Sequence, residues 1–278
     1  MDRYAVVGNP VAHSKSPKIH RLFAQHCGQQ LSYDKILIEP GEFDREVRAF
    51  FAAGGRGLNV TVPFKEEAKR FSDELSERAR VAAAVNTLIL TDAGTILGDN
   101  TDGAGLLWDL RDNLRWPLQG ARILIFGAGG ATRGILQPLL RAGLTEIVVI
   151  NRTHQKAEKL AEEFSSMGRI RALPDSELCD AGRFDLLINA SSAGLKGISP
   201  EFGRNNIDAT TCCYDLVYAN GLTPFLQKSK QLGVANLADG LGMLVGQAAE
   251  SFFLWRQVRP DARAVLDIMR KELQSADK

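Results

Sequence analysis

The chain has 278 residues with a net charge of +1, and 45% of its residues are hydrophobic and 24% charged, a composition ordinary for a globular chain with one large or two modest domains. The near-zero charge argues against a nucleic-acid partner held by bulk electrostatics, and the lack of a long apolar segment or signal-peptide pattern predicts a cytoplasmic chain without a membrane partner. None of the four cysteines has zinc-site spacing, so we expect reduced thiols and no metal.

The first part of the chain alternates apolar strands with helices. The predicted elements are strand Tyr4–Gly8, helix Lys18–Cys27, strand Leu31–Ile38 and helix Gly41–Ala53. Ser16 before Pro17 is typical of a helix start, with Ser16 as the N-cap. Ser14 has no such role. Two hydroxyls beside a helix N-terminus also suit a small carboxylate, and Ser16 could serve both purposes.

The stretch Leu58–Val62 alternates apolar and polar residues, which is typical of a strand with one apolar face. Asn59 and Thr61 therefore point to the same side. Lys65 follows at the start of a predicted helix, Lys65–Phe71. An edge strand with a solvated face would give the same pattern, so a binding role and a solvated surface both remain open.

An asparagine and an aspartate stand beside two further predicted strands. The predicted elements are helix Glu77–Ala84, strands Val85–Leu90 and Thr95–Gly98, and helix Leu106–Leu114. Asn86 stands at the entry of the first of these strands. Asp102 lies in the polar turn Gly98–Gly103, where it could either cap the following helix or belong to a site.

A glycine-rich turn marks the stretch Ala121–Gly134, in which an apolar run precedes Gly127, Gly129 and Gly130 and a helical composition follows. Glycines let a pyrophosphate approach the backbone, and the helix start offers free N–H groups. The pattern departs from the strict dinucleotide fingerprint because Thr132 holds its last position. A tight turn without a ligand would look similar.

The next apolar run, Glu146–Ile150, follows at the spacing of a strand–helix–strand unit. NAD-binding folds place an acidic residue after this strand, for the ribose 2′-hydroxyl. Here the strand is followed by Asn151, Arg152 and Thr153, with Lys156 one turn on. A hydroxyl and two cations suit a 2′-phosphate and favour NADP over NAD. Ordinary solvated charges are the alternative.

The second half of the chain predicts a doubly wound parallel sheet, because strands and helices alternate. The predicted elements are helix Gln155–Phe164, strands Phe184–Asn189 and Tyr214–Val217, helix Pro224–Leu232, a turn-rich hinge at Asn236–Gly242, and helices Met243–Arg256 and Ala262–Gln274. The apolar final helices need a partner surface. We therefore predict an α/β chain with a mixed-sheet substrate domain, residues 1–102 plus 241–278, and an inserted Rossmann-like dinucleotide domain, residues 103–240.

The chain resembles the shikimate dehydrogenase family over essentially its whole length. Nine motifs occur in order at the family's spacing: GNPVAHSKSP (8–17), NVTVPFK (59–65), AVNT (84–87), GDNTDG (98–103), GAGGA (127–131), NRT (151–153), NASSAGL (189–195), YDLVY (214–218) and DGLGMLVGQA (239–248). The resemblance implies reversible NADPH-dependent reduction of 3-dehydroshikimate to shikimate, in chorismate and aromatic amino-acid biosynthesis. It also implies a small-molecule substrate and a monomer or homodimer.

The resemblance further implies roles for individual residues. Lys65 and Asp102 would form the catalytic pair, and Ser14 and Ser16 would hold the substrate carboxylate. The other substrate contacts would come from Asn59, Thr61, Asn86, Tyr218 and Gln247, with Lys65 and Asp102 also contacting the substrate. The NADP contacts would come from Gly127, Ala128, Gly129, Gly130, Ala131, Asn151, Arg152, Thr153, Lys156, Ser191, Val217, Gly240 and Met243.

The departures from the family pattern are few. Ser191 stands where threonine is frequent, which keeps the hydroxyl, and Lys156 stands where arginine is frequent, which keeps the charge but loses bidentate geometry. Two alternatives remain. A quinate/shikimate dehydrogenase would use NAD and tends to carry an acid near Arg152 and a serine at Thr61. A non-catalytic NADP(H) sensor would need a degraded Lys65 or Asp102.

Overall fold

The computed structural model describes residues 1–191 and 197–275 of the chain. The chain divides into two compact units. The first unit comprises Met1–Leu106 and Leu244–Met269, and the second comprises Leu107–Met243 with the described residues from Arg270 onward. The predicted functional domains, residues 1–102 plus 241–278 and residues 103–240, stay a prediction. Residues from Arg270 group with the second unit, where Arg270 forms two hydrogen bonds with Asp239.

Twelve strands are found in the described residues: β1 Asp2–Gly8, β2 Leu31–Leu37, β3 Gly55–Val60, β4 Glu74–Leu75, β5 Thr87–Leu90, β6 Ile96–Asp99, β7 Arg122–Phe126, β8 Glu146–Ile150, β9 Ile170–Ala172, β10 Leu186–Asn189, β11 Cys212–Asp215 and β12 Asn236–Asp239. The α-helices there are α1 Ser16–His26, α2 Phe43–Ala52, α3 Lys65–Phe71, α4 Glu77–Ala82, α5 Asp102–Leu107, α6 Gly130–Leu140, α7 His154–Phe164, α8 Pro224–Gln231, α9 Leu241–Arg256 and α10 Ala262–Ser275.

The first unit is built on a mixed sheet with the strand order β2-β1-β3-β5-β6-β4. β1 is parallel to β2 and β3, whereas β5 is antiparallel to β3 and β6. Alternate side chains of β1 and β3, such as Val7 and Leu58, are buried in one hydrophobic core. From α9, the indole of Trp255 donates a hydrogen bond to the Leu88 carbonyl. The predicted mixed sheet is confirmed.

The second unit is built on an all-parallel sheet with the strand order β12-β11-β10-β7-β8-β9. Unbroken apolar runs form its central strands, and all five residues of β8 are buried, as expected when helices cover both faces. Phe126 pairs with Ile150 and Asn189, and Asp215 pairs with Asn189 and Asp239. The loops that follow these five strands therefore share one edge of the sheet, as predicted for a doubly wound dinucleotide fold.

Two predicted helix starts are wrong. Ser16 follows the N-cap residue, Lys15, and is itself the first residue of α1. Its predicted capping role is lost because the helix begins one residue earlier. The helix predicted at Leu106 begins at Asp102, and Trp108–Asn113 continues it as a π-helix. The sequence did not indicate this start because Gly103 and Gly105, in the first turn, are poor helix formers.

Several strand predictions also need correction. β3 ends at Val60, so Thr61, which was predicted within this strand, lies just beyond the sheet. β5 begins at Thr87, just after Asn86. The predicted hinge at Asn236–Gly242 contains β12, which pairs with β11. The short strands β4 and β9 were not predicted, because two or three residues carry no periodicity.

Candidate active site

The first unit places a lysine and an aspartate in direct contact. Lys65 is the first residue of α3 and Asp102 the first of α5, and Lys65 Nζ lies 2.5 Å from Asp102 Oδ2. The Lys65 side chain is 23% exposed and the Asp102 side chain 8%. The other carboxylate oxygen, Oδ1, accepts a hydrogen bond of 2.7 Å from Asn86 Nδ2. The ammonium therefore retains access to solvent while both carboxylate oxygens are engaged.

Asn86 and Gln247 present oriented amides beside this pair. The backbone N–H of Thr101 donates to Asn86 Oδ1 over 2.9 Å, which directs the amide nitrogen of Asn86 toward Asp102. Gln247 Oε1 lies 3.3 Å from Asn86 Nδ2, and Gln247 Nε2 donates to the Leu244 carbonyl over 2.9 Å. The predicted residues Lys65, Asp102, Asn86 and Gln247 are thus brought together.

Asn59 is buried behind this group, and its amide is engaged within the protein. Its Oδ1 accepts a 2.7 Å hydrogen bond from the hydroxyl of Tyr33. Its Nδ2 donates to Ser251 Oγ at 3.0 Å and to Thr87 Oγ1 at 3.2 Å. With these contacts, Asn59 supports the neighbouring side chains, and its direct contact with a ligand stays a prediction. Thr61 is half-buried at the end of β3.

Ser14 and Ser16 lie at the N-terminus of α1. The backbone N–H of Ser16 donates to Ser14 Oγ over 3.3 Å, so the two serines are neighbours. The Lys15 side chain makes no cap hydrogen bond and the first turn has no acidic residue. The positive end of the helix dipole and the Ser14 hydroxyl thus lie together where the sequence predicts a carboxylate site, whereas the Ser16 side chain is buried.

The glycine-rich turn of the second unit offers space for a phosphate. Gly127 has a φ of +110°, and a Cβ there would lie 3.0 Å from the Ala190 carbonyl group. A Cβ on Gly129 or Gly130 would meet no atom within 4 Å, so the turn is open at these residues. Ala131 follows in α6, whose N-cap, Gly129, provides no side-chain cap. The N–H groups at this helix start suit a pyrophosphate.

Thr132 explains the departure from the strict glycine fingerprint. Its side chain is buried, and its Oγ1 donates a 2.8 Å hydrogen bond to the Gly127 carbonyl. A hydroxyl therefore closes the turn from the position where other dinucleotide folds carry glycine.

Cationic side chains stand where the sequence predicts a 2′-phosphate site. Asn151 Oδ1 accepts from the Ala128 N–H over 3.2 Å, and Asn151 Nδ2 donates to the Thr153 carbonyl over 2.8 Å, which joins the two loops. Arg152 and Lys156 are exposed, and the first turn of α7 contains no acidic residue. Within residues 1–191 and 197–275 neither cation has an ion-pair partner. This donor set fits NADP.

Hydrogen bonds join the remaining predicted cofactor loops. Ser191 Oγ donates to Asn189 Oδ1 over 2.7 Å, and Asn189 Nδ2 donates to Asp215 Oδ1 over 3.1 Å. Asp215 Oδ1 also accepts from the Val217 N–H, and the Val217 carbonyl accepts from the Gly240 N–H over 3.2 Å. Burial, the largest cause, raises the pKa of Asp215. Residues 192–195 of the NASSAGL motif lie outside the described part of the chain.

A tyrosine–aspartate pair supports Met243, and sequence reasoning missed it. The buried Tyr214 donates to Asp109 Oδ2 over 2.6 Å and accepts from the Met243 N–H over 3.2 Å. A Cβ on Gly242 would lie 2.1 Å from Asp109 Oδ2, so any side chain at this position would displace the carboxylate. The motif YDLVY contains Tyr214, but nothing in the sequence pairs it with Asp109. Tyr218 is half-buried, and burial raises its pKa.

Within the described ranges, no helix is long and apolar enough to cross a membrane. The same residues contain no cluster of three histidine, cysteine or acidic side chains that could hold a metal ion.

Three family models match the chain in succession. They are the shikimate dehydrogenase substrate binding domain at residues 6–88, shikimate / quinate 5-dehydrogenase at 111–201, and the shikimate 5′-dehydrogenase C-terminal domain at 240–274.

Individual relatives agree over nearly the full length. Shikimate dehydrogenase (NADP(+)) of Saccharophagus degradans is 52% identical over 98% of this chain and 99% of its own. The structure of an Ael1 enzyme from Pseudomonas putida has a TM-score of 0.91 at 46% identity, covering 96% of this chain and 98% of that one. Shikimate 5-dehydrogenase from Thermus thermophilus, solved with NADP(H) and shikimate, has a TM-score of 0.86 at 35% identity over 98% and 99% of the two chains.

Proposed function

The chain belongs to the shikimate dehydrogenase family, and on that premise we propose how its residues catalyse the family's reaction. That reaction is the reversible NADPH-dependent reduction of 3-dehydroshikimate to shikimate, a step of chorismate and aromatic amino-acid biosynthesis. The observation that carries the proposal is the 2.5 Å contact between Lys65 and Asp102, with the amides of Asn86 and Gln247 beside it.

NADP is held by residues of the second unit. The open turn at Gly127–Ala131 and the start of α6 receive the pyrophosphate, and Arg152, Thr153 and Lys156 receive the 2′-phosphate. Ala128 and Asn151 join the two loops, and the predicted contacts of Ser191, Val217, Gly240 and Met243 complete the site. When bound, NADPH supplies the hydride.

Lys65 transfers the proton to and from the substrate oxygen. Reduction of the ketone places negative charge on its oxygen, which the Lys65 ammonium stabilises and then protonates. In the oxidation direction the neutral amine takes the proton from the hydroxyl. Asp102 holds Lys65 through its Oδ2 atom, and because Asn86 fixes the other carboxylate oxygen, the lysine is oriented before the substrate arrives. The two residues therefore act as one coupled unit.

Most of the proposed substrate contacts come from polar groups of the first unit. Ser14 and Ser16 bind the carboxylate at the start of α1. Thr61, Asn86, Asp102 and Gln247 bind the ring hydroxyls. Asn59 and Tyr218 complete the predicted set.

The surroundings of the enzyme are also part of the proposal. It works in the cytoplasm on a small molecule, as a monomer or homodimer, without a nucleic-acid or membrane partner. Residues 1–102 plus 241–278 serve the substrate, and residues 103–240 serve NADP.

Replacing Lys65 tests the proposal directly. We expect Lys65→Ala to lower kcat by at least ~10²-fold with a modest change in the KM for shikimate, because the contact strengthens in the transition state. Steady-state kinetics of shikimate oxidation, followed by NADPH absorbance, measure both constants.

Lys69→Ala is the matched control, since Lys69 lies one turn further along α3. It should keep the kinetics of the unmodified chain. A Lys65→Ala variant with near-normal kcat would refute the role assigned to Lys65.

A further inference from the structure

Ser251 occupies the centre of the buried polar network in the first unit. It lies on α9 one turn after Gln247 and is 0% exposed. Its Oγ lies 3.0 Å from Asn59 Nδ2, 2.8 Å from Thr87 Oγ1 and 3.2 Å from Thr101 Oγ1. It also lies 3.1 Å from the Gln247 carbonyl oxygen.

The hydroxyl of Ser251 fills its hydrogen-bonding capacity. A hydroxyl has one proton to donate and two lone pairs to accept with. One lone pair of Ser251 accepts from Asn59, and the other faces Thr101 Oγ1. The Ser251 proton is shared between the Gln247 carbonyl and Thr87 Oγ1, because Thr87 gives its own proton to Asn86 Oδ1. Ser251 thereby restricts the directions in which these two hydroxyls point.

The two threonines in turn orient the amide of Asn86. Thr87 Oγ1 donates to Asn86 Oδ1 over 2.9 Å, and Thr101 Oγ1 lies 3.2 Å from the same oxygen. Thr101 Oγ1 also lies 3.3 Å from Gln247 Oε1. The oxygens of both amides therefore face the hydroxyl cluster, whereas the nitrogen of Asn86 donates to Asp102 Oδ1 and also lies 3.0 Å from Thr101 Oγ1.

We propose that Ser251 is a positioning residue of the substrate site. Through Thr87 and Thr101 it holds the amides of Asn86 and Gln247 in the orientation that receives the substrate's hydroxyls, without touching the substrate. This inference rests on the proposed function, because Asn86 and Gln247 are substrate contacts only there.

A buried helix serine that lies outside this network is the natural comparison. Ser229 on α8 is 0% exposed and donates to the Phe225 carbonyl over 2.8 Å, four residues back, as Ser251 does to Gln247. Ser229 belongs to the second unit. It therefore matches Ser251 in burial and backbone bonding but has no place in the network around Asn86.

The test compares Ser251→Ala with Ser229→Ala. For Ser251→Ala we expect the KM for shikimate to rise about 10-fold, the worth of one or two lost hydrogen bonds. The Kd for NADPH, measured by fluorescence titration, should stay within twofold, because its predicted contacts are in the second unit. Ser229→Ala should lower the melting temperature about as much as Ser251→Ala does, but it should leave the KM for shikimate unchanged.

A further variant keeps the test decisive if Ser251→Ala does not fold. Ser251→Cys retains a weak donor and acceptor and should give an intermediate KM. A folded Ser251 variant with an unchanged KM for shikimate, or one that weakens shikimate and NADPH equally, would overturn the inference. If the unmodified chain does not oxidise shikimate with NADP⁺, the proposed function fails instead, so the two failures are distinguishable.

Discussion

Arg152 is the residue on which the cofactor preference depends most. It is exposed directly after β8, with Lys156 one turn away and no acid in the first turn of α7. The helix dipole disfavours cations at this end of a helix unless an anion binds there. The sequence suffices to predict this part of the site, which stays a prediction, because its residues are contiguous and follow a buried strand.

Arg152→Ala should raise the KM for NADP⁺ by about 10- to 100-fold and leave the KM for NAD⁺ unchanged, because only NADP⁺ carries the 2′-phosphate that the guanidinium contacts. Initial rates of shikimate oxidation with each cofactor measure both constants. Lys159→Ala, an exposed cation further along α7, serves as the control. Equal effects of Arg152→Ala on both cofactors would contradict the assignment.

At the scale of single elements, α1 carries a buried histidine. His20 is 0% exposed, and its ring stacks on that of Tyr33 with the centroids 4.3 Å apart. Within the described residues neither ring nitrogen has a hydrogen-bond partner. Burial, the largest cause, lowers the pKa of His20 to about 3, although nearby Asn59 opposes the shift. His20 is therefore neutral in the folded chain at any pH well above 3.

This burial predicts a loss of stability in mild acid. Below its ordinary pKa of 6.5, the histidine takes up a proton in the unfolded chain but not in the folded one, so unfolding becomes easier as the pH falls toward 3. Between pH 7.5 and 5, His20 should lower the free energy of unfolding by roughly 2 kcal/mol. Urea unfolding at both pH values measures the difference.

His20→Leu provides the comparison, because leucine keeps an apolar side chain at this position and does not titrate. The variant should lose less stability over the same pH range. An identical pH dependence in both chains would show that His20 takes up its proton alike in the folded and unfolded states.

The elements that sequence could predict are those with strong local patterns. The predicted and observed bounds of α3 coincide at Lys65–Phe71, and the apolar run of β8 was found in full. β12 was taken for a turn because its strand character arises from pairing with β11, which no local pattern records. The capping role of Ser16 failed for a similar reason, since the helix begins one residue before the local signal places it.

The supporting residues of the site could not be predicted, because their partners are distant in sequence. Asn59 and Ser251 form a hydrogen bond although they are 192 positions apart in the sequence. Asp109 and Tyr214 do so at a separation of 105 positions. The residues proposed to contact ligands stand in short motifs, and their roles were predicted from those motifs. Ser251 and Asp109 are polar residues within helices, where their spacing alone predicts nothing.

The whole molecule divides its chemistry between its two units. The first unit contains the lysine–aspartate pair and most of the predicted substrate contacts, on a mixed sheet. The second unit contains the glycine-rich turn and the cations proposed to hold NADP, on a parallel sheet. The main segment of the second unit, Leu107–Met243, lies in sequence between the two segments of the first, so the single chain carries both halves of an oxidoreductase.

The central claim is that these halves together oxidise shikimate with NADP⁺. The most direct measurement compares kcat/KM for shikimate and for quinate, each with NADP⁺ and with NAD⁺, on the unmodified chain. We predict that shikimate with NADP⁺ exceeds every other pair by at least about 10-fold, since losing the 2′-phosphate or adding quinate's extra hydroxyl beside Thr61 removes or disturbs a specific contact. Equal turnover of quinate, equal use of NAD⁺, or no turnover of shikimate would contradict the account.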